Sequence, residues 1–97
     1  MKGLEINPLF CDRVRLAIMA TLAASRHPVT FTTLVQSFDV TPGNLSAHLR
    51  KLEEAGFVKC TKEFIGRKPR TSYECTARGR AETKGYLRVV EKVLKDI

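Results

Sequence analysis

Thr41-Pro-Gly-Asn-Leu-Ser-Ala-His-Leu-Arg-Lys-Leu-Glu-Glu-Ala-Gly56 reads as a helix with its own start, its own stop and two differently built faces. Thr41 can cap the first turn, and Pro42 suits the first helical position, where a missing N–H leaves nothing unpaired. Gly56 supplies the left-handed residue that ends many helices. Between them Leu45, Leu49 and Leu52 form one narrow apolar stripe. At about 100° per residue the opposite side carries Gly43, Asn44, Ala47, Arg50, Lys51 and Glu54. Its N-terminal half is small and polar, so little blocks close approach to a partner surface. A rod backed by leucines with small hydrogen-bonding groups at its tip is what a DNA major groove accepts. Taken alone, the same stretch fits an ordinary amphipathic surface helix better. Its neighbours in sequence reverse that preference.

Phe57-Val-Lys-Cys-Thr-Lys-Glu-Phe64 and Thr71-Ser-Tyr-Glu-Cys-Thr76 alternate apolar and polar residues, the period of half-buried strands. The segment between them, Ile65-Gly-Arg-Lys-Pro-Arg70, is turn chemistry with three cations and no anion. From Lys59 to Arg80 there are seven Lys/Arg and two Asp/Glu, a balance of +5 within a chain total of +7. The charge is therefore focused, which favours contact with a polyanion over general solubility.

Composition bounds the remaining choices. The 97 residues make one small domain, 1–97, with 43% hydrophobic and 28% charged residues, which is ordinary for a globular chain. A pI of about 9.7 fits a nucleic-acid binder. No apolar run approaches ~20 residues, so a membrane partner is not expected. Met1-Lys-Gly-Leu-Glu-Ile-Asn-Pro8 lacks a signal-peptide core, which points to the cytoplasm.

Cys11, Cys60 and Cys75 have no C-x-x-C spacing, so neither a zinc ribbon nor a disulfide framework is expected. If the hairpin turns over Gly66 to Pro69, Cys60 faces Cys75 and a cross-strand redox bridge is conceivable. The plainer reading is two small hydrophobes beneath the strands. His27 and His48 have no His or Cys partner at i+3 or i+4, so neither a metal nor another cofactor is expected.

Along the chain, a first helix is expected from Pro8 to about Ala24, with Phe10, Val14, Ala17, Ile18 and Thr21 on one face. Pro28 breaks the pattern. A second helix follows from about Thr30 or Phe31 to Phe38, with Leu34, Val35 and Phe38 inward. Asp39-Val-Thr41 is a turn short enough to hold it against the third helix. The helix-turn-helix thus spans about 30–56 and the hairpin about 57–76. Thr76 can cap a long final helix over about 77–97, which Gly79 and Gly85 weaken by up to ~1 kcal/mol each. In that helix Leu87, Val90, Leu94 and Ile97 follow 3-4-3 spacing, and Tyr86, Val89 and Val93 add a second strip. So wide an apolar face on a terminal helix points to a homodimer interface of Tyr86, Leu87, Val90, Val93, Leu94 and Ile97.

The expected fold is α+β and mostly α: three helices, a two-stranded wing and a long C-terminal helix, a winged helix-turn-helix. That order, with Asp12-Arg-Val-Arg-Leu-Ala-Ile18, the Leu-Ser-x-His-Leu-x-x-Leu-Glu-x-x-Gly run, Gly66-Arg-Lys-Pro-Arg-Thr71 and Cys75-Thr-Ala-Arg-Gly-Arg80, resembles the small winged-helix transcriptional regulators. The chain is most similar to the short, stand-alone members related to the MarR and ArsR families, from about Pro8 onward. The resemblance implies a homodimer whose third helix enters the major groove while the wing tip reaches the neighbouring minor groove. It also implies that a small-molecule effector, if one exists, binds between subunits. The Cys-x-Cys pair of metal-sensing members has no counterpart here.

Candidate DNA-binding residues follow. Thr41, Pro42 and Gly43 form the helix tip. Asn44 can pair with adenine, and Ser46 or Ala47 can meet a phosphate or a thymine methyl. Arg50 and Lys51 suit phosphates or a guanine, and His48 suits either a phosphate or packing against the second helix. Arg67, Lys68 and Arg70 are the wing contacts, and Gly66 and Pro69 shape the tip. Arg13 and Arg15 could touch the DNA backbone from the first helix, but the simpler account is solvent exposure. A non-specific, chromosome-coating DNA binder is the alternative that these residues do not separate from a specific regulator. Other readings are weaker. A protein-interaction module calls for an apolar or acidic third helix. RNA binding calls for exposed stacking aromatics, whereas Phe64 and Tyr73 both suit core positions. An enzyme is not expected, because no catalytic constellation emerges.

Overall fold

The computed structural model describes residues 6–97. The reading of the extreme N-terminus as free of a signal core rests largely on residues 1–5, which lie outside the described part. A 3-10 turn, Pro8–Cys11, leads into α1, Arg13–Ala24. The single helix expected from Pro8 is thus broken at Asp12. Local capping wins there: the Asn7 side chain accepts from the Leu9 N–H, and Asp12 Oδ1 accepts from Val14 and Arg15 at 2.8 and 3.0 Å. The Arg15 N–H is the main reason that the Asp12 carboxyl is held below its ordinary range.

Strand β1, Val29–Thr30, is followed by α2, Phe31–Ser37, and α3, Pro42–Glu54. Thr41 caps α3 as its sequence dictates, accepting from the Asn44 N–H at 3.1 Å, and Gly56 closes it at φ 82°. Leu45, Leu49 and Leu52 are fully buried. They share one core with Ile18, Met19 and Leu22 of α1, Leu34 of α2, and Phe57 and Val58 beyond α3. Val35 and Phe38 pack partly against that core, as expected. On α1, however, the inward face is Ile18, Met19 and Leu22, while Thr21 is exposed and returns its hydroxyl to the Ala17 carbonyl. Phe10 and Val14 also pack with this core, as expected, so Thr21 is the residue that departs from the expected face.

The wing strands are β2, Val58–Ile65, and β3, Lys68–Cys75. They belong to a three-stranded antiparallel sheet of order β1-β3-β2, because Val29 and Thr30 pair with Tyr73 and Ser72. A two-residue segment is too short to announce itself by alternation, so the third strand was not legible in the sequence. The hairpin turns over Gly66 and Arg67 alone, pairing Ile65 with Lys68. Gly66 has φ 66° and no other wing residue is positive, the pattern of a type II′ turn. This shorter loop corrects the expected register: Cys60 pairs with Tyr73 and Cys75 with Val58. The two thiols are not opposite each other, and both are free and half-buried.

Helix α4, Ala77–Lys95, starts against the corner between α3 and β2. Thr76 Oγ1 accepts from the Gly79 N–H and donates to the Gly56 carbonyl at 2.7 Å, while the Thr76 N–H donates to the Phe57 carbonyl. Arg80 caps the far end of α1 through the Ala23 carbonyl. Tyr86 leans on Phe10 with ring centroids 5.5 Å apart. From residue 91 onward every side chain of α4 is exposed. No helix among the described residues is long and apolar enough to cross a membrane.

Candidate nucleic-acid interface

The leucine stripe turns the other side of α3 outward. Thr41, Pro42, Gly43, Asn44, Ala47, Arg50 and Lys51 are all exposed, while Ser46 and His48 are half-buried at the two margins of that face. Ser46, Arg50 and Glu53 line a groove of about 380 Å³ whose far wall is Cys60, Lys62 and Tyr73 of the sheet. Burial, and then the neighbouring Cys60, push the Tyr73 hydroxyl up to about 12.

At the other margin His48 faces α1. Its Nδ1 lies 3.2 Å from Nη1 of Arg15, whose Nε donates to the Leu9 carbonyl at 2.9 Å. A guanidinium has no acceptor, so in this contact Nδ1 is the acceptor and the ring N–H is on Nε2. His48 therefore packs against helix one rather than helix two. Arg15, read from sequence as solvent-exposed, is instead half-buried, and its side chain bridges the 3-10 turn and α3. Arg13 is exposed as expected.

In the wing Arg67, Lys68 and Arg70 are all exposed, as is Lys62. Glu63, the one acid of the distal wing, stands opposite Arg70 in the ladder. Phe64 is not a core residue: it is 73% exposed, and Ile65 is 55% exposed. The strands run out beyond the helices there, so the alternation that buries Tyr73 has nothing to pack Phe64 against. Among the described residues no group of three or more His, Cys, Asp or Glu is placed to hold a metal.

At the opposite end, α4 leaves Leu87, Val93, Leu94 and Ile97 exposed, Leu94 by 63% and Ile97 by 94%. Val89 and Val90 are half-buried. Tyr86 is partly taken up by the core through Phe10.

Two residues with a place in this surface were missed by sequence reasoning. Arg15 gave no signal, since its partners are a carbonyl six residues back and a side chain 33 residues on. Phe64 gave none either: a two-residue loop on Gly66 sets the register of the ladder, but how far the helices cover the strands is decided by tertiary packing.

The sequence matches the family described as winged helix DNA-binding domain over residues 14–94. An uncharacterised protein of Methanocaldococcus jannaschii is 35% identical over 89 residues, covering 92% of this chain and 96% of that protein. The structure of a transcriptional regulator homologue from Pyrococcus horikoshii superposes with TM-score 0.86 and 36% identity, covering 98% of this chain and 93% of that one. A MarR-family regulator of Enterococcus faecalis shares the fold, with TM-score 0.79 at 21% identity over 91% of this chain and 78% of its own.

Proposed function

The chain belongs to the winged helix DNA-binding domain family, and from that premise we propose that it is a sequence-specific transcriptional regulator acting as a homodimer. In this reading α3 occupies the major groove and the wing lies on the adjacent minor groove and backbone. The carrying observation is that Ser46 and Arg50 of α3 line the same groove as Lys62 of the wing, while Asn44 and Ala47 stay uncovered on the outer face. One duplex laid across this side meets base-reading groups and cations together. Asn44 reads a base edge; Arg50, Lys51, Arg67, Lys68 and Arg70 meet phosphates; Nε2–H of His48, oriented by Arg15, donates to the backbone beside Asn44. Selection of bound fragments from a random duplex pool at two salt concentrations tests this. A palindromic motif supports the dimeric regulator, and absence of enrichment overturns sequence specificity in favour of DNA coating.

Asn44→Ala is expected to cost ~1–3 kcal/mol on the selected site and to relax preference at one base pair. Equal loss on every duplex in competition assays removes Asn44 from base reading. The dimer itself rests on the exposed end of α4. The double change Leu87→Glu and Leu94→Glu is expected to give a folded monomer in sedimentation, because both side chains are at least half exposed within one subunit. An unchanged mass rules out this helix as the interface.

A further inference from the structure

The wing ends in apolar groups that its own fold leaves uncovered. Phe64 and Pro69 stand directly opposite each other in the ladder, one pair before the turn-closing pair Ile65 and Lys68. In a two-residue hairpin that makes theirs a non-hydrogen-bonded pair, the kind with side chains closest together. Pro69 lies past the end of β1, so its missing N–H points to an open edge and leaves no broken bond. By alternation the pair shares a face with Lys62 and Thr71, and Lys62, Pro69 and Thr71 line a groove of about 460 Å³ with Ser46 of α3. The apolar pair is therefore carried on the face turned towards the recognition helix. Around it Lys62, Arg67, Lys68 and Arg70 outnumber Glu63 four to one, a balance that selects a polyanion.

Dimensions decide what the pair does there. A β-layer with side chains on both faces is roughly 10 Å thick, whereas the minor groove of B-DNA is about 6 Å wide. A thin turn carrying Arg67 enters an undistorted groove; the blade behind it does not. Apolar side chains at such a point act as wedges that open the groove and partly unstack a base step. We propose that Phe64, backed by Pro69, is such a wedge, and that the wing reads DNA by deformability as well as by charge. The step beneath it is a flexible pyrimidine–purine step that α3 does not touch. This inference rests on the DNA-binding reading above.

A short duplex whose single flexible step is a TpA, with 2-aminopurine as its adenine, tests it against a control duplex in which that step is ApA. Titrated at low salt, the wild-type chain is expected to bind the TpA duplex more tightly and to raise its fluorescence as the base unstacks. Phe64→Ala is expected to bind about tenfold more weakly, with no rise and no preference between duplexes. Phe64→Leu, still an apolar wedge, keeps part of both. Phe64 is exposed, so the thermal melt of each variant stays that of the wild type. Wild-type binding to both duplexes without a fluorescence rise overturns the wedge and leaves DNA binding standing. A rise that survives Phe64→Ala also overturns it. So does a change in sedimenting mass on Phe64→Ala with DNA binding unaltered, which assigns the patch to contact between copies. Failure of the wild type to bind any duplex overturns the DNA reading itself.

Discussion

Replacing Gly79 with alanine is expected to destabilise the domain by about 2–3 kcal/mol, lowering its melting temperature by roughly 10–20 °C. Propensity argues the other way, since alanine suits a helix better than glycine by up to ~1 kcal/mol. Contact decides. A methyl group on Gly79 would overlap the Phe57 carbonyl oxygen and lie 2.8 Å from the carbonyl carbon. The obstacle is backbone, so no rotamer relieves it. That carbonyl is also fixed, because it accepts the Thr76 N–H at 3.0 Å. To make room, α4 must lift from the corner where Thr76 bonds Gly56 and where Thr83 is buried against the Gly79 carbonyl. Gly85, on the same helix, has nothing within 4 Å of the corresponding position. Gly85→Ala is expected to stabilise by up to ~1 kcal/mol. Thermal or denaturant melts of the two variants side by side are the check; a rise for Gly79→Ala contradicts the close approach there, and a fall for Gly85→Ala contradicts the open space at that position.

Removing the wing cations together, Arg67→Ala with Lys68→Ala and Arg70→Ala, is expected to weaken binding to every duplex by on the order of 100-fold at low salt, about 1 kcal/mol for each cation removed. The plot of log affinity against log salt should flatten by about 0.9 for each phosphate that the wing ceases to neutralise, so by nearly 3 if all three cations reach the backbone. Preference among sequences should change far less, because phosphates look alike on every site. All three side chains are exposed and leave the core untouched, so folding should be unaffected. Unchanged affinity and slope would remove the wing from the interface, and a partial drop in slope tells how many of the three touch DNA. The contrast with Asn44→Ala is diagnostic, since one variant moves the salt slope and the other moves base choice.

Much of the molecule was written locally. Thr41, Pro42, three spaced leucines and Gly56 are start, face and stop within one stretch, so α3 and its uncovered side followed from periodicity alone. The cationic turn and the cap at Thr76 were equally local. Where the sequence misled, a miscounted loop or a competing bond was at fault. Asp12 captured two backbone N–H groups and split the first helix. A loop shortened to Gly66 and Arg67 slid the ladder and separated Cys60 from Cys75.

The sequence by itself therefore determined α2, α3, the two wing strands and α4, which face of α3 is bare and where the positive charge collects, since each depends on neighbours a few residues apart. Only the tertiary structure decided that Arg15 holds His48, that Gly79 has no space for a methyl group, and that Phe64 projects beyond the core. Those three depend on groups distant in sequence meeting, or failing to meet, once the chain has closed around its leucines.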